Sequence, residues 1–254
     1  MRRLSSGPHR ATLCWTVLGL VLFFHSSCLF LPGQRYRHFA TKTPLPERHT
    51  LILGFLGGRD SWDDPRPGVA RLAAKLRAEN LPGVHIESVE NRRRHLALQL
   101  IQHSFDQNQN GVLEQEEKVS GRLILYGQSF GGAAVVKLAR ELHKAEIPVL
   151  LTVQVDSVGR GDARIPGNVS CAANLFQQDG LVIRGEREIR AEDPEKTTII
   201  GNFEYDYDDR EIDLSHVPWF KKLCRVAHTK MDWDPEVWAR VEQLILDTLS
   251  HGCP

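Results

Sequence analysis

The chain lacks an excess of charge of either sign: 32 Lys and Arg balance 32 Asp and Glu over 254 residues. Nothing in that balance suggests a nucleic-acid or acidic-polymer partner. Its five cysteines, Cys14, Cys28, Cys171, Cys224 and Cys253, show no Cys-x-x-Cys spacing, so neither a zinc site nor a disulfide framework can be read from them. One bridge can form if the chain is exported, but spacing does not choose the pair. Internal repeats and low-complexity blocks are absent. What remains is a 41% hydrophobic chain, ordinary for a globular protein and long enough for one sizeable α/β domain.

The N-terminus stands apart. Met1-Arg2-Arg3 and Arg10 give a basic start, and residues 11–24 are nearly all apolar. Residues 1–31 read as a signal peptide, or as an N-terminal membrane anchor if 28–31 extends the span. Either places the domain outside the cytoplasm, secreted, periplasmic or membrane-anchored. Residues 32–48, polar and punctuated by Pro44 and Pro46, are expected to be a linker to a domain at 49–254.

The most informative stretch is 123–134, Leu-Ile-Leu-Tyr-Gly-Gln-Ser-Phe-Gly-Gly-Ala-Ala. An apolar strand runs into Gly-x-Ser-x-Gly and then into a helix of small residues. Such a turn projects the Ser129 hydroxyl beyond the strand end, and Gly127 and Gly131 let neighbouring backbone cross closely. Here the chain resembles the α/β-hydrolase superfamily of lipases, esterases and thioesterases, over roughly residues 49–250. The resemblance implies a mostly parallel sheet with helices on both faces and a Ser–acid–His triad in that chain order. It implies Ser129 as nucleophile, Asp156 at the end of strand 149–155 as acid, and His228 before the last helix as base. Asp162 and Asp193 are the other acids left open, and His216 is the rival base. A Gly-rich loop after an early strand at 49–53 implies oxyanion donors from the backbone of Phe55 or Leu56 and of Phe130. The resemblance also implies a carboxylic ester or thioester substrate, a small-molecule or lipid-like ester. No lid insertion is evident, which disfavours a long-chain lipase. The alternative is a hydrolase scaffold that binds calcium and no longer catalyses.

A second motif occupies 106–117, Asp-Gln-Asn-Gln-Asn-Gly-Val-Leu-Glu-Gln-Glu-Glu. It fits the twelve-residue EF-hand loop: Asp106, Asn108 and Asn110 at positions one, three and five, and Gly111 at the sharp turn. Val112 would offer its carbonyl, Glu114 would act through water, and Glu117 would bind in bidentate fashion. This spacing wraps hard oxygens around one point and predicts a Ca²⁺ ion. The loop is single, its exit helix is short, and two side-chain ligands are neutral, so the expected affinity is modest and suits an extracellular fluid. Because it joins a helix to the start of the nucleophile strand, the ion is expected to be structural, on the order of 20 Å from Ser129.

Elsewhere, periodicity predicts helices at 69–79, 92–105 and 133–143 and from Asp234 onward, with a strand at 84–89. Residues 172–177 are expected as a helix that could line the cleft. Residues 181–183 and 197–200 are expected as short strands, and 205–209 as an exposed loop. Asn168-Val169-Ser170 is a glycosylation sequon, relevant only to a eukaryotic secretory route.

Overall fold

Four runs of aliphatic residues with little polar alternation call for strands covered on both faces. In the computed structural model, which describes residues 33–180, 183–215, 217–222 and 226–254, they become the centre of one sheet. The strands are β1 (Thr50–Leu56), β2 (Val84–Glu90), β3 (Arg122–Gln128), β4 (Val149–Val155), β5 (Arg164–Ile165), β6 (Val169–Phe176), β7 (Arg190–Ala191) and β8 (Thr198–Glu204). The helices are α1 (Gly68–Ala78), α2 (Arg94–Phe105), α3 (Gln115–Ser120), α4 (Phe130–Lys144), α5 (Trp219–Lys222), α6 (Val226–Trp233) and α7 (Pro235–His251).

The main sheet is six-stranded, in the order β2-β1-β3-β4-β6-β8. Every neighbouring pair in it is parallel. β5 and β7 form a separate parallel pair. Successive residues of β1 and β3 point to opposite faces, as strand geometry requires. Ile52, Leu56, Ile124 and Tyr126 pack with Val69, Leu76, Val241 and Ile245 of α1 and α7. Leu51, Leu53, Leu123 and Leu125 pack with Leu100, Val135 and Leu138 of α2 and α4 on the other side. This is the expected α/β class, a parallel sheet with helices on both faces.

The order also fixes where a ligand can sit. The chain goes outward from β1 to β2, then returns to place β3 on the other side of β1. At such a switch point the loops beyond the strand C-termini part and leave a crevice. The glycines after β1 and the elbow after β3 both lie there.

Several expectations need correction. Residues 172–177 are not a helix: Val169–Phe176 is a strand paired with β4 and β8. Its apolar content reflects burial between two layers rather than a helical stripe. β8 runs to Glu204, past the expected end at 200. Tyr207 is buried, donating its hydroxyl to Asp234 Oδ2 at 2.8 Å. The compact unit begins at Gln34. From there the expected linker packs on the domain: Leu45 joins the core, and the Gln34 amide bonds Ser88 O (2.7 Å) and Glu90 N (3.0 Å) of β2. Cys171 and Cys253 are disulfide-bonded, with Cα atoms 5.7 Å apart, tying the chain end to β6. The Asn168 amide nitrogen is spent on Ala139 O and Ile147 O, which leaves the sequon engaged internally. Among the described residues no helix is long and apolar enough to cross a membrane. The signal or anchor segment with Cys14 and Cys28, Leu181 and Val182 of an expected strand, His216 and Cys224 lie outside the described residues.

Candidate active site

Ser129 lies between the end of β3 and the start of α4 with φ 58° and ψ −124°. A non-glycine residue with positive φ is costly and persists only where its surroundings hold it. Here the Ser129 N–H donates to Val155 O at 2.9 Å, and its carbonyl accepts from Gly132 N at 3.1 Å. The flanking glycines are sterically required. A Cβ on Gly131 would stand 2.0 Å from Phe55 O, and one on Gly127 would stand 2.5 Å from the Gly131 carbonyl carbon. Phe130 opens α4, so its N–H has no acceptor within the helix, and its ring is 54% exposed.

Asp156 directly follows β4, one strand over from β3, at φ 45° and fully buried. Its Oδ2 lies 2.6 Å from Nδ1 of His228. A carboxylate only accepts, so Nδ1 carries the proton. The rival acids are committed elsewhere. Asp162 accepts from the Ser157 hydroxyl and from Gly159 N, and Asp193 accepts from Glu195 N and pairs with Lys196.

His228 is placed in α6 rather than on a loop before the last helix. The run from 226 to 233 contains no glycine or proline, and the break comes only at Asp234, which caps α7 ahead of Pro235. The ring is buried, with Nε2 at 3.4 Å from the Gln128 amide nitrogen. One turn beyond, Asp232 accepts from Gly68 N at 2.9 Å. Burial pushes its carboxyl above the usual range, against the lowering effects of the Gly68 N–H, Arg71 and His228.

Gln177, just past β6, escaped the sequence reading. Its amide nitrogen donates to both Asp156 oxygens, at 2.9 and 3.3 Å, and to Ile183 O at 3.0 Å. Its own oxygen accepts from Gly180 N at 2.9 Å. Its signal in the sequence is a lone polar residue closing an apolar run, which points to the C-terminal edge only if that run is a strand.

Two of the residues expected to supply oxyanion donors stand at the end of a strand. Phe55 and Leu56 are not in a loop: both belong to β1, and their side chains are fully buried. Phe55 is flanked by Val89 on one side and Gly127 on the other, so its amide sits within the sheet. Gly57 is the first residue past the strand, and a Cβ there would lie 3.3 Å from Ser129 Cβ.

The loop at 106–117 folds inward on its own oxygens. Asp106 accepts from Asn110 N and Gly111 N, Asn108 from Asn110 N, and Asn110 from Val112 N. Glu117 accepts from Gln107 N with one oxygen and Glu114 N with the other. Glu114 also accepts from the Asn110 amide at 3.2 Å, and Gly111 turns the chain at φ 83°. Asp106 and Glu117 are nearly buried, and among the described residues neither has a Lys, Arg or His partner. Buried carboxylates without a counter-charge are costly, and an all-oxygen donor set of this kind fits Ca²⁺.

No family model matches the chain, and no curated protein matches it significantly. Among solved structures, a cutinase-like protein from Cryptococcus sp. is similar, with a TM-score of 0.43 and 14% identity, covering 83% of this chain and 98% of that one.

Proposed function

We propose that the protein is a serine hydrolase of carboxylic esters or thioesters. The observation that carries this reading is the buried Asp156–His228 hydrogen bond at the same sheet edge as the strained Ser129 elbow. In the proposed reaction Ser129 Oγ attacks the carbonyl carbon while His228 Nε2 takes its proton. The C=O pair moves onto oxygen, held by the Phe130 N–H and the backbone after β1, with Gly57 replacing Phe55 and Leu56. Collapse expels the alcohol or thiol, protonated by His228. Water then repeats the sequence and frees the acid. Asp156 keeps the proton on Nδ1 and stabilises the imidazolium.

The loop at 106–117 is proposed to hold a structural Ca²⁺ through Asp106, Asn108, Asn110, the Val112 carbonyl, Glu114 and Glu117. When bound, the ion would neutralise Asp106 and Glu117 and pin α2 and α3 to the start of β3. Export is proposed on the N-terminal pattern and on the Cys171–Cys253 bridge, since such bonds persist in oxidising compartments.

The test is covalent labelling by a fluorophosphonate, with Ser129→Ala and His228→Ala alongside, in calcium and in chelator. Labelling of the wild type that both variants lose is the expected result. The non-catalytic calcium-binding reading draws on the Gln128 amide at the His228 Nε2 position. Wild-type protein that never labels would favour it.

A further inference from the structure

The residue before the nucleophile has a side chain that the reaction scheme leaves unused. Gln128 is the last residue of β3 and only 5% exposed, so its amide cannot turn to bulk water. Its nitrogen lies 3.4 Å from His228 Nε2. Its oxygen lies against the first turn after β1, where a Cβ on Gly57 would be 2.4 Å away. One buried amide therefore touches both the base and the loop proposed to hold the oxyanion.

We propose that Gln128 is a positioning residue: its amide N–H holds His228 as the neutral tautomer with the lone pair on Nε2, and its oxygen braces the turn at Gly57. The inference rests on the proposed role of His228 as base. The chemistry follows from the donor inventory. Asp156 Oδ2 requires the proton on Nδ1, so in the neutral ring Nε2 accepts, and the Gln128 nitrogen only donates. A donor aimed at that lone pair favours the neutral ring over the cation. At 3.4 Å the contact is long, so it can yield when the Ser129 proton arrives. The pattern also accounts for a glycine at 57, since any larger residue would displace the amide or meet Ser129.

Other charges near the ring are Asp156 at the end of β4 and Asp232 on α6 itself. Asp60 in the loop after β1 and Arg71 on α1 act on Asp232. All four are unchanged in variants at 128, so a shift there reports on the amide.

The experiment uses the full chain, with Gln128→Met and Gln128→Glu. Two quantities are followed against pH: the fluorophosphonate labelling rate and the ring ¹⁵N shifts of His228. In the wild type the shifts should show Nδ1 protonated and Nε2 as acceptor. Gln128→Met removes the donor at similar size, and the acid limb of the rate profile and the ring titration should both move to higher pH by about half to one unit. Gln128→Glu places a carboxylate there and should move them further. If the Glu variant does not fold, the Met variant decides. A Met variant whose ring titration stays in place, or moves to lower pH, overturns the proposal. If the wild type does not label, the hydrolase reading fails, and the ring titration alone judges Gln128.

Discussion

At one end of β3 the side-chain oxygens of the loop 106–117 accept hydrogen bonds from no more than ten residues away, as Glu117 does from Gln107 N, while the Gln107 amide reaches out to Leu45 O. At the other end the candidate site is assembled from afar. His228 is 72 positions from Asp156 and 100 from Gln128, and Gln177 is 21 from Asp156. The near end draws its expected ion ligands from twelve consecutive residues, whereas the far end needs four strands in register and a helix packed across them. The first kind of site shows in the sequence as spacing. The second shows as separate residues at strand ends whose meeting depends on the whole sheet.

The largest expected effect is at the far end. Ser129→Ala should reduce labelling to background while leaving the melting temperature nearly unchanged; residual labelling would place the nucleophile elsewhere. Asp156→Asn should slow labelling by roughly 10³–10⁴-fold, because an amide no longer enforces the proton on Nδ1. A small effect in that kinetic assay would disconnect the buried pair from any chemistry.

The two turning glycines sharpen the contrast. Gly131→Ala would drive a methyl group into Phe55 O and should yield little folded protein. Gly111→Ala meets nothing within 4 Å and strains only its own φ of 83°. It should cost about 1 kcal/mol, read as a small loss in chemical denaturation, with weaker calcium binding by titration calorimetry. Equal losses in the two variants would contradict the division between a local loop and an assembled site.

The smallest expected effect on labelling is that of calcium. Chelation, or Glu117→Gln, should lower the melting temperature by several degrees yet spare labelling below it, since seven strand residues separate the loop from Ser129, on the order of 20 Å. Labelling that fell in step with calcium at a temperature where the fold persists would make the ion more than structural.

The same contrast explains what could be read in advance. The sheet was legible because its central strands are apolar on both faces, and the elbow because two glycines flank Ser129. Asp156 stood out as the acid closing an apolar run. The pairing of Cys171 with Cys253 was not legible, since it depends on the start of β6 lying beside the end of the last helix. Residues 172–177 misled because an eight-residue buried run has no period that separates strand from helix. Phe55 and Leu56 read as loop because Gly54 precedes them and Gly57 and Gly58 follow, although sheet pairing carries β1 past Gly54. The apparent linker misled because proline and polar residues mark loops, packed or free, and Leu45 alone hinted that this one is packed.

The Gln34 amide has a consequence for the handling of this protein. By occupying Ser88 O and Glu90 N it fills hydrogen-bonding positions on the outer margin of β2 that a strand from a second molecule could otherwise use. A fragment cut after residue 34, although it spares every site residue, would leave that margin open and should assemble into soluble oligomers or precipitate. The useful expression boundary therefore lies before Gln34, not at the first strand.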